Sequence, residues 1–151
     1  MPDNIKELLH HQCVAYVQKR VQEAENAFKD AVQAANDDTK SSAGDKYETG
    51  REMMQQEKDR MTKQANEANK LMVALNHIGT KSNSPVAENG SLVITDQAKF
   101  YLSISAGNIV VDGESYIAVS PASPIGLKLK GLKAGDAFEL NGKRYKVAQV
   151  W

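Results

Sequence analysis

Residues 1–80 and residues 81–151 obey different periods. Apolar or small residues fall at Ile5, Leu9, Cys13, Val17, Val21, Ala24, Phe28, Ala31 and Ala35, spaced by threes and fours, which is one face of an α-helix. Further on, Tyr47, Met54, Met61, Ala68 and Leu75 recur every seven residues, with Ala65 and Met72 at the second seam position. That is a heptad seam, interrupted in its first half by Arg51 and Lys58. Between the two patterns lies NDDTKSSAG, where Gly44 and the Ser/Asp cluster are turn chemistry. The pattern predicts an antiparallel coiled-coil hairpin from about residue 4 to residue 78, turning near Asp37 to Gly44. Each arm of roughly 33 residues would be about 50 Å long at the usual rise. On this reading Met54, Met61 and Met72 are seam residues rather than a metal or haem box.

GTKSNSPVAENG, Gly79 to Gly90, replaces the heptads with Gly, Ser, Asn and Pro and offers nothing that packs. Past it the period becomes two. SLVIT, NIVVDG, ESYIAVS, DAFEL and KRYKVAQVW read as short strands, with DG and NG supplying hairpin turns. SPIGLKLKG adds a short helix, with Ser123 as its cap, Pro124 at its first position and Gly131 as its stop. The expected architecture is α+β: a hairpin over residues 1–80, a linker over 81–90 and a small α+β domain over 91–151. At about 60 residues that domain is near the lower limit for folding alone, so it is expected to lean on the base of the hairpin.

Composition narrows the picture. Apolar residues make up 41% of the 151 but aromatics only 6%, which suits a chain rich in two-stranded helix better than one large core. A single cysteine, Cys13, excludes an internal disulfide framework and a Cys-rich zinc site; in the helical seam it reads as a small packed residue. The opening MPDNIKELLHH lacks a basic stretch followed by an apolar run, and no segment is long and apolar enough to span a bilayer. A protein of a reducing compartment, the cytoplasm, with no membrane partner is expected. His10, His11 and His77 are read as surface residues.

Net charge is zero, which argues against a simple polyanion binder, but the charge is unevenly placed. From Asn36 to Glu52, Asp37, Asp38, Asp45, Glu48 and Glu52 outnumber Lys40, Lys46 and Arg51. From Ser120 onward, Lys128, Lys130, Lys133, Lys143, Arg144 and Lys146 face only Asp136 and Glu139. Each cluster alone reads equally well as a solvated face. Asp37 and Asp38 need do no more than cap or solubilise the turn.

SPASPIGLKLKGLKAGDAFELNGKRYKVAQV resembles the C-terminal signature of the Gre transcript cleavage factors, in which a Ser-Pro-hydrophobic-Gly helix leads through Gly-Lys and Gly-Asp turns into the last strands. Upstream, GDKYE resembles the Gly-Asp-x-x-Glu with which that family marks the tip of its coiled coil, although TGREMM follows where the family has Asn-Ala-Glu-Tyr. The resemblance implies an FKBP-like C-terminal domain and an accessory factor of bacterial RNA polymerase, docking at the secondary channel while the hairpin reaches down it to the RNA 3′ end. It would be monomeric and not an enzyme by itself: it would stimulate the polymerase's own cleavage of backtracked RNA. Asp45 and Glu48, three apart at a helix start, would share a Mg²⁺ with the polymerase, since carboxylates are hard oxygen ligands for a metal that already has other partners. No cofactor would be held tightly by the chain alone. Lys128, Lys130 and Lys133, with Ser123, Pro124 and Gly126 of the signature helix, would form the partner-binding set.

Other readings stay open. Asp45 followed by Glu48 is also a capping box. The factor could occupy the channel without stimulating cleavage. A peptidyl-prolyl isomerase would need a concave pocket built from Phe100, Tyr101, Tyr116, Phe138, Tyr145 and Trp151, and a structural coiled-coil adaptor would make no use of the tip acids.

Overall fold

The structure, a computed structural model, describes the chain except residues 1, 42–43 and 80–83; within the helices it describes no side chains at residues 2–3, 37–41 and 44–49. The elements in order are α1 (Pro2–Ser41), α2 (Gly44–Asn76), β1 (Leu92–Thr95), β2 (Lys99–Leu102), β3 (Gly107–Val111), β4 (Glu114–Val119), α3 (Pro124–Leu129), β5 (Ala137–Leu140) and β6 (Lys143–Val150). A long helical region followed by a mixed six-stranded sheet is an α+β chain, as the change of period implied. Its contacts divide into two compact units: Met1–Tyr16 with Met72–Trp151, and Val17–Leu71.

Within Val17–Leu71 the apolar faces meet as their spacing requires. Val17, Ala24, Ala35 and Ala68 are buried, and Val21, Phe28, Ala31, Met54, Met61 and Ala65 are half-buried. Arg20 pairs with Glu67 at 4.0 Å, and Ala24 and Ala27 share a groove with Arg60 and Gln64. Stepping forward along α1 therefore means stepping back along α2, and over this stretch the helices run antiparallel. Small residues at the contact let the backbones approach. The methionines at 54 and 61 pack at the seam, whereas Met53 is 54% exposed. α1 is 40 residues long and runs to Ser41, so Asp37 to Ser41, expected in the turn, continue the helix.

The other unit is built on the sheet, in the order β3-β4-β2-β1-β6-β5. All neighbours pair antiparallel except β2 and β4, which are parallel, with Phe100 opposite Ile117 and Leu102 opposite Val119. β2 carries the organisation. Phe100 and Leu102 join Val93, Val119, Leu129, Phe138 and Val147 in the core. Tyr101 and Ser103, on the opposite face, are buried beside the first turns of α1, where Ser103 meets Cys13 at 3.5 Å. Buried on both faces, β2 shows no alternation, and it was the one strand not expected from the sequence. Leu9 and Leu75 are fully buried in this unit, each contributing about 1.5–3 kcal/mol by removal from water.

The reading of Gly79 to Gly90 as unpackable needs correction at its end. Ala87 is 2% exposed and belongs to the core. Its N–H donates to Leu132 O at 2.7 Å and its carbonyl accepts from Gly131 N–H at 2.8 Å, while Val86 bridges Lys133. Gly90, with φ +91, has Ile78 Cγ2 only 2.7 Å from where a Cβ would stand, so the chain enters β1 through a space a side chain would fill.

Candidate functional site

The helix α3 is fixed from both ends. Ser123 is extended, and its Oγ accepts from Gly126 N–H at 3.1 Å while donating to Ser120 O at 2.6 Å. Pro124 occupies the first turn, where its missing N–H costs nothing. At the far end Lys130 N–H donates to Gly126 O, and Gly131 turns the chain with φ +88 into its bond with Ala87. Lys133 N–H then donates to Asp136 Oδ2 at 3.0 Å, and Asp136 N–H to Lys133 O at 3.0 Å, a closed turn before β5.

Fixing the helix also sorts its residues. Leu127 and Leu129 are two apart, which on a helix means opposite sides. Leu129 is fully buried and Leu127 is 66% exposed. Lys128, Lys130 and Lys133 are exposed, as is Pro124, so α3 and its exit present an apolar residue and three ammonium groups close together in the chain. Of the six residues assigned to partner binding, Ser123 and Gly126 have internal tasks: one is the cap, the other is buried against the Ser120–Pro121 backbone. Leu127 was missed by sequence reasoning, although the two-residue spacing from Leu129 in so short a helix was the signal.

The tip acids are placed by backbone alone. α2 opens at Gly44, so Asp45 falls in its first turn and Glu48 at the start of its second; their side chains, with those of Asp37 and Asp38, lie outside the described residues. Two carboxylates three apart on a helix suit a shared Mg²⁺ in donor type and supply only part of a ligand set. Among the described residues no group of three or more His, Cys, Asp or Glu could hold a metal ion.

A third cluster lies where the first turns of α1 meet the sheet. Lys6 is 2% exposed and its Nζ donates to Trp151 O at 3.3 Å. Burial pushes the Cys13 thiol up, an effect partly offset by the bond with Ser103. Burial likewise pushes the Tyr101 phenol well up, with Cys13 adding to it, and its hydroxyl has no hydrogen-bond partner among the described residues. His10, expected at the surface, is half-buried with Nδ1 enclosed and unpartnered. Burial first, and His11 second, hold its pKa below the ordinary 6.5. A depressed histidine pKa means the unfolded chain binds the proton more readily than the folded one, so stability is full above about pH 6.5 and is lost as pH falls below it towards the folded pKa. The melting temperature should therefore decline on acidification through that window, and His10→Gln should lack this component when the two proteins are melted across a pH series. Identical profiles would remove His10 as the cause.

Phe100, Phe138 and Tyr145 are engaged with one another. Phe138 stacks on Tyr145 at 4.8 Å and Phe100 meets the same ring edge-on at 5.9 Å. Tyr116 donates to Glu114 at 3.3 Å, beside the ion pair of Glu114 with Lys99. That hydrogen-bonded pair holds the Glu114 carboxyl low and the Lys99 ammonium high. Among the described residues no helix is long and apolar enough to cross a membrane. No protein-family model matches the chain, and no curated protein matches it either.

Proposed function

We propose that the chain is a secondary-channel factor of bacterial RNA polymerase, whose α3 surface docks on the polymerase and whose helical hairpin, joined to an FKBP-like domain, carries Asp45 and Glu48 to the catalytic Mg²⁺. The observation that carries this reading is the position of GDKYE: it opens α2 immediately after α1 ends, at the joint between helices of 40 and 33 residues that pair antiparallel along Val17–Leu71. Helices of that length span about 50–60 Å, a reach that neither an isomerase nor a domain held together by its own core requires. When bound, the metal would stabilise the leaving oxygen of an RNA phosphodiester and activate a water. The chain's own contribution is to hold two carboxylates one helical turn apart and to leave the remaining ligands to the polymerase. A regulator that fills the channel without cleavage uses the same hairpin and none of the carboxylate chemistry. Engagement of Phe100, Phe138 and Tyr145 in the core speaks against the isomerase.

The experiment is direct. Purified chain is added to core RNA polymerase and to complexes stalled in a backtracked register; binding is measured by co-migration and RNA length on a gel. Binding with shortened RNA is the expected result. Absence of binding would overturn the reading, and binding without shortening would leave the channel-filling regulator.

The docking surface has its own test. The exposed ammonium groups of α3 and its exit should steer encounter with an acidic rim, raising the association rate more than the final affinity. Lys128→Ser, Lys130→Ser and Lys133→Ser together should slow association with the polymerase roughly ten-fold at low salt, with the difference shrinking as salt is added. An unchanged rate at low salt would show these lysines to be ordinary solvated residues.

A further inference from the structure

The two edges of the sheet are treated differently. At one, β5 has α3 packed against it and carries the exposed carboxylate of Glu139. Charges and covering elements are how sheets keep their edges from pairing with other chains. At the other, β3 reads GNIVV and has neither a charge nor a proline.

The hairpin geometry says which backbone groups β3 leaves open. Asp112 and Gly113, with φ 53 and 80, form the two-residue turn to β4, and Val111 lies opposite Glu114. In such a hairpin the pair next to the turn is hydrogen-bonded, and bonded pairs alternate along the ladder. Val111, Ile109 and Gly107 therefore bond to β4, and the N–H and C=O of Asn108 and Val110 point away from it. Neither residue has a further backbone partner among the described residues. Both are exposed, Val110 by 57%, whereas Ile109 and Val111 are buried on the other face.

We propose that β3 is a self-association edge, at which a second copy of this chain adds its own β3 antiparallel about a two-fold axis at Ile109. The open groups choose the register. Asn108 of one copy pairs with Val110 of the other and the reverse, giving four N–H···O=C bonds. Ile109 meets Ile109 on the buried face, so the apolar layer continues from one sheet to the next. Asp112, the nearest charge along the chain, comes opposite Ala106, and no like charges face each other. The edge is thus complementary to itself, which is the requirement of a two-fold contact. Four backbone bonds and a narrow strip of apolar surface make a weak, concentration-dependent dimer in place of the monomer expected from the sequence. This inference is independent of the proposed function.

Sedimentation velocity of the full chain over rising concentration reads it. The sedimentation coefficient should climb from the monomer value towards that of the dimer. Val110→Pro removes an outward N–H and no bond to β4, and should weaken association at least ten-fold; a melt alongside shows whether the fold is intact. Val110→Lys should weaken it too without perturbing the backbone. Adding Asn108→Glu to Val110→Lys should restore it, because the introduced carboxylate then faces the introduced ammonium across the axis. A chain that stays monomeric at every concentration overturns the proposal, whether or not it captures extended peptides. So does association that both Val110 variants leave unchanged, or a double variant no stronger than Val110→Lys alone.

Discussion

Gly126→Ala should destabilise the sheet unit although it replaces the poorer helix former by the best one. Helix propensity alone favours the change by about 1 kcal/mol. Against that, a Cβ built on Gly126 would stand 1.9 Å from Ser120 O and 2.9 Å from Pro121 Cα, and both obstacles are backbone. They are held there by the Ser123 cap, whose hydroxyl bonds the same carbonyl, so α3 must lift away to make room. Lifting it exposes Leu129, which is fully buried, and strains the Gly131 and Ala87 contacts that hold the end of the linker. Overpacking of this kind costs about 3 kcal/mol. The net loss is about 2 kcal/mol or more, a fall in melting temperature of roughly 4–8 °C at this chain size. A melt followed by circular dichroism checks it; an unchanged or raised melting temperature would mean that α3 is free to shift, and with it the rigid presentation of Leu127 and the lysines.

Neutralising the tip acids separates metal chemistry from helix capping. Asp45→Asn with Glu48→Gln keeps size and much of the hydrogen bonding and removes the charge each carboxylate offers a metal. If capping is their whole role, the double variant loses at most about 1 kcal/mol of helix stability and functions as before. If they hold Mg²⁺ in a backtracked polymerase, binding should persist while RNA cleavage falls roughly a hundred-fold or more, as when one group stabilising transition-state charge is removed. Equal cleavage by wild type and variant would sink the metal reading. Cleavage by neither would leave the hairpin as an obstruction in the channel.

How much of this was legible in the sequence depended on what each segment packs against. α1 announced itself because one of its faces is apolar throughout, from Leu9 and Cys13 to Ala24 and Ala35. α3 was legible because Ser123, Pro124 and Gly131 each perform a local backbone task. β2 was not: a strand buried on both faces has no period, and Phe100-Tyr101-Leu102 reads as any short apolar run. Its parallel pairing with β4 was hidden for the same reason. The burial of Lys6 left no local signal, because the group that receives its ammonium, the Trp151 carbonyl, lies 145 residues away. Ala87 was lost in a polar stretch, since an alanine's burial depends on what closes over it, here Leu132 and Gly131. The metal reading of the tip rests on resemblance, because two acids three apart serve a cap and a cation equally well.

The division of the chain into two units sets an order for its folding during synthesis. Val17–Leu71 holds contacts such as Arg20 with Glu67 that close within one continuous stretch, so it can condense as soon as that stretch has left the ribosome. The first turns of α1 cannot. Cys13 waits for Ser103, 90 residues later, and Lys6 waits for Trp151. Until β6 emerges, a helix face carrying Leu9, Cys13 and a lysine destined for burial stands uncovered. The earliest-made segment is therefore among the last to be secured, which makes it the natural foothold for a chaperone or a protease on the nascent chain.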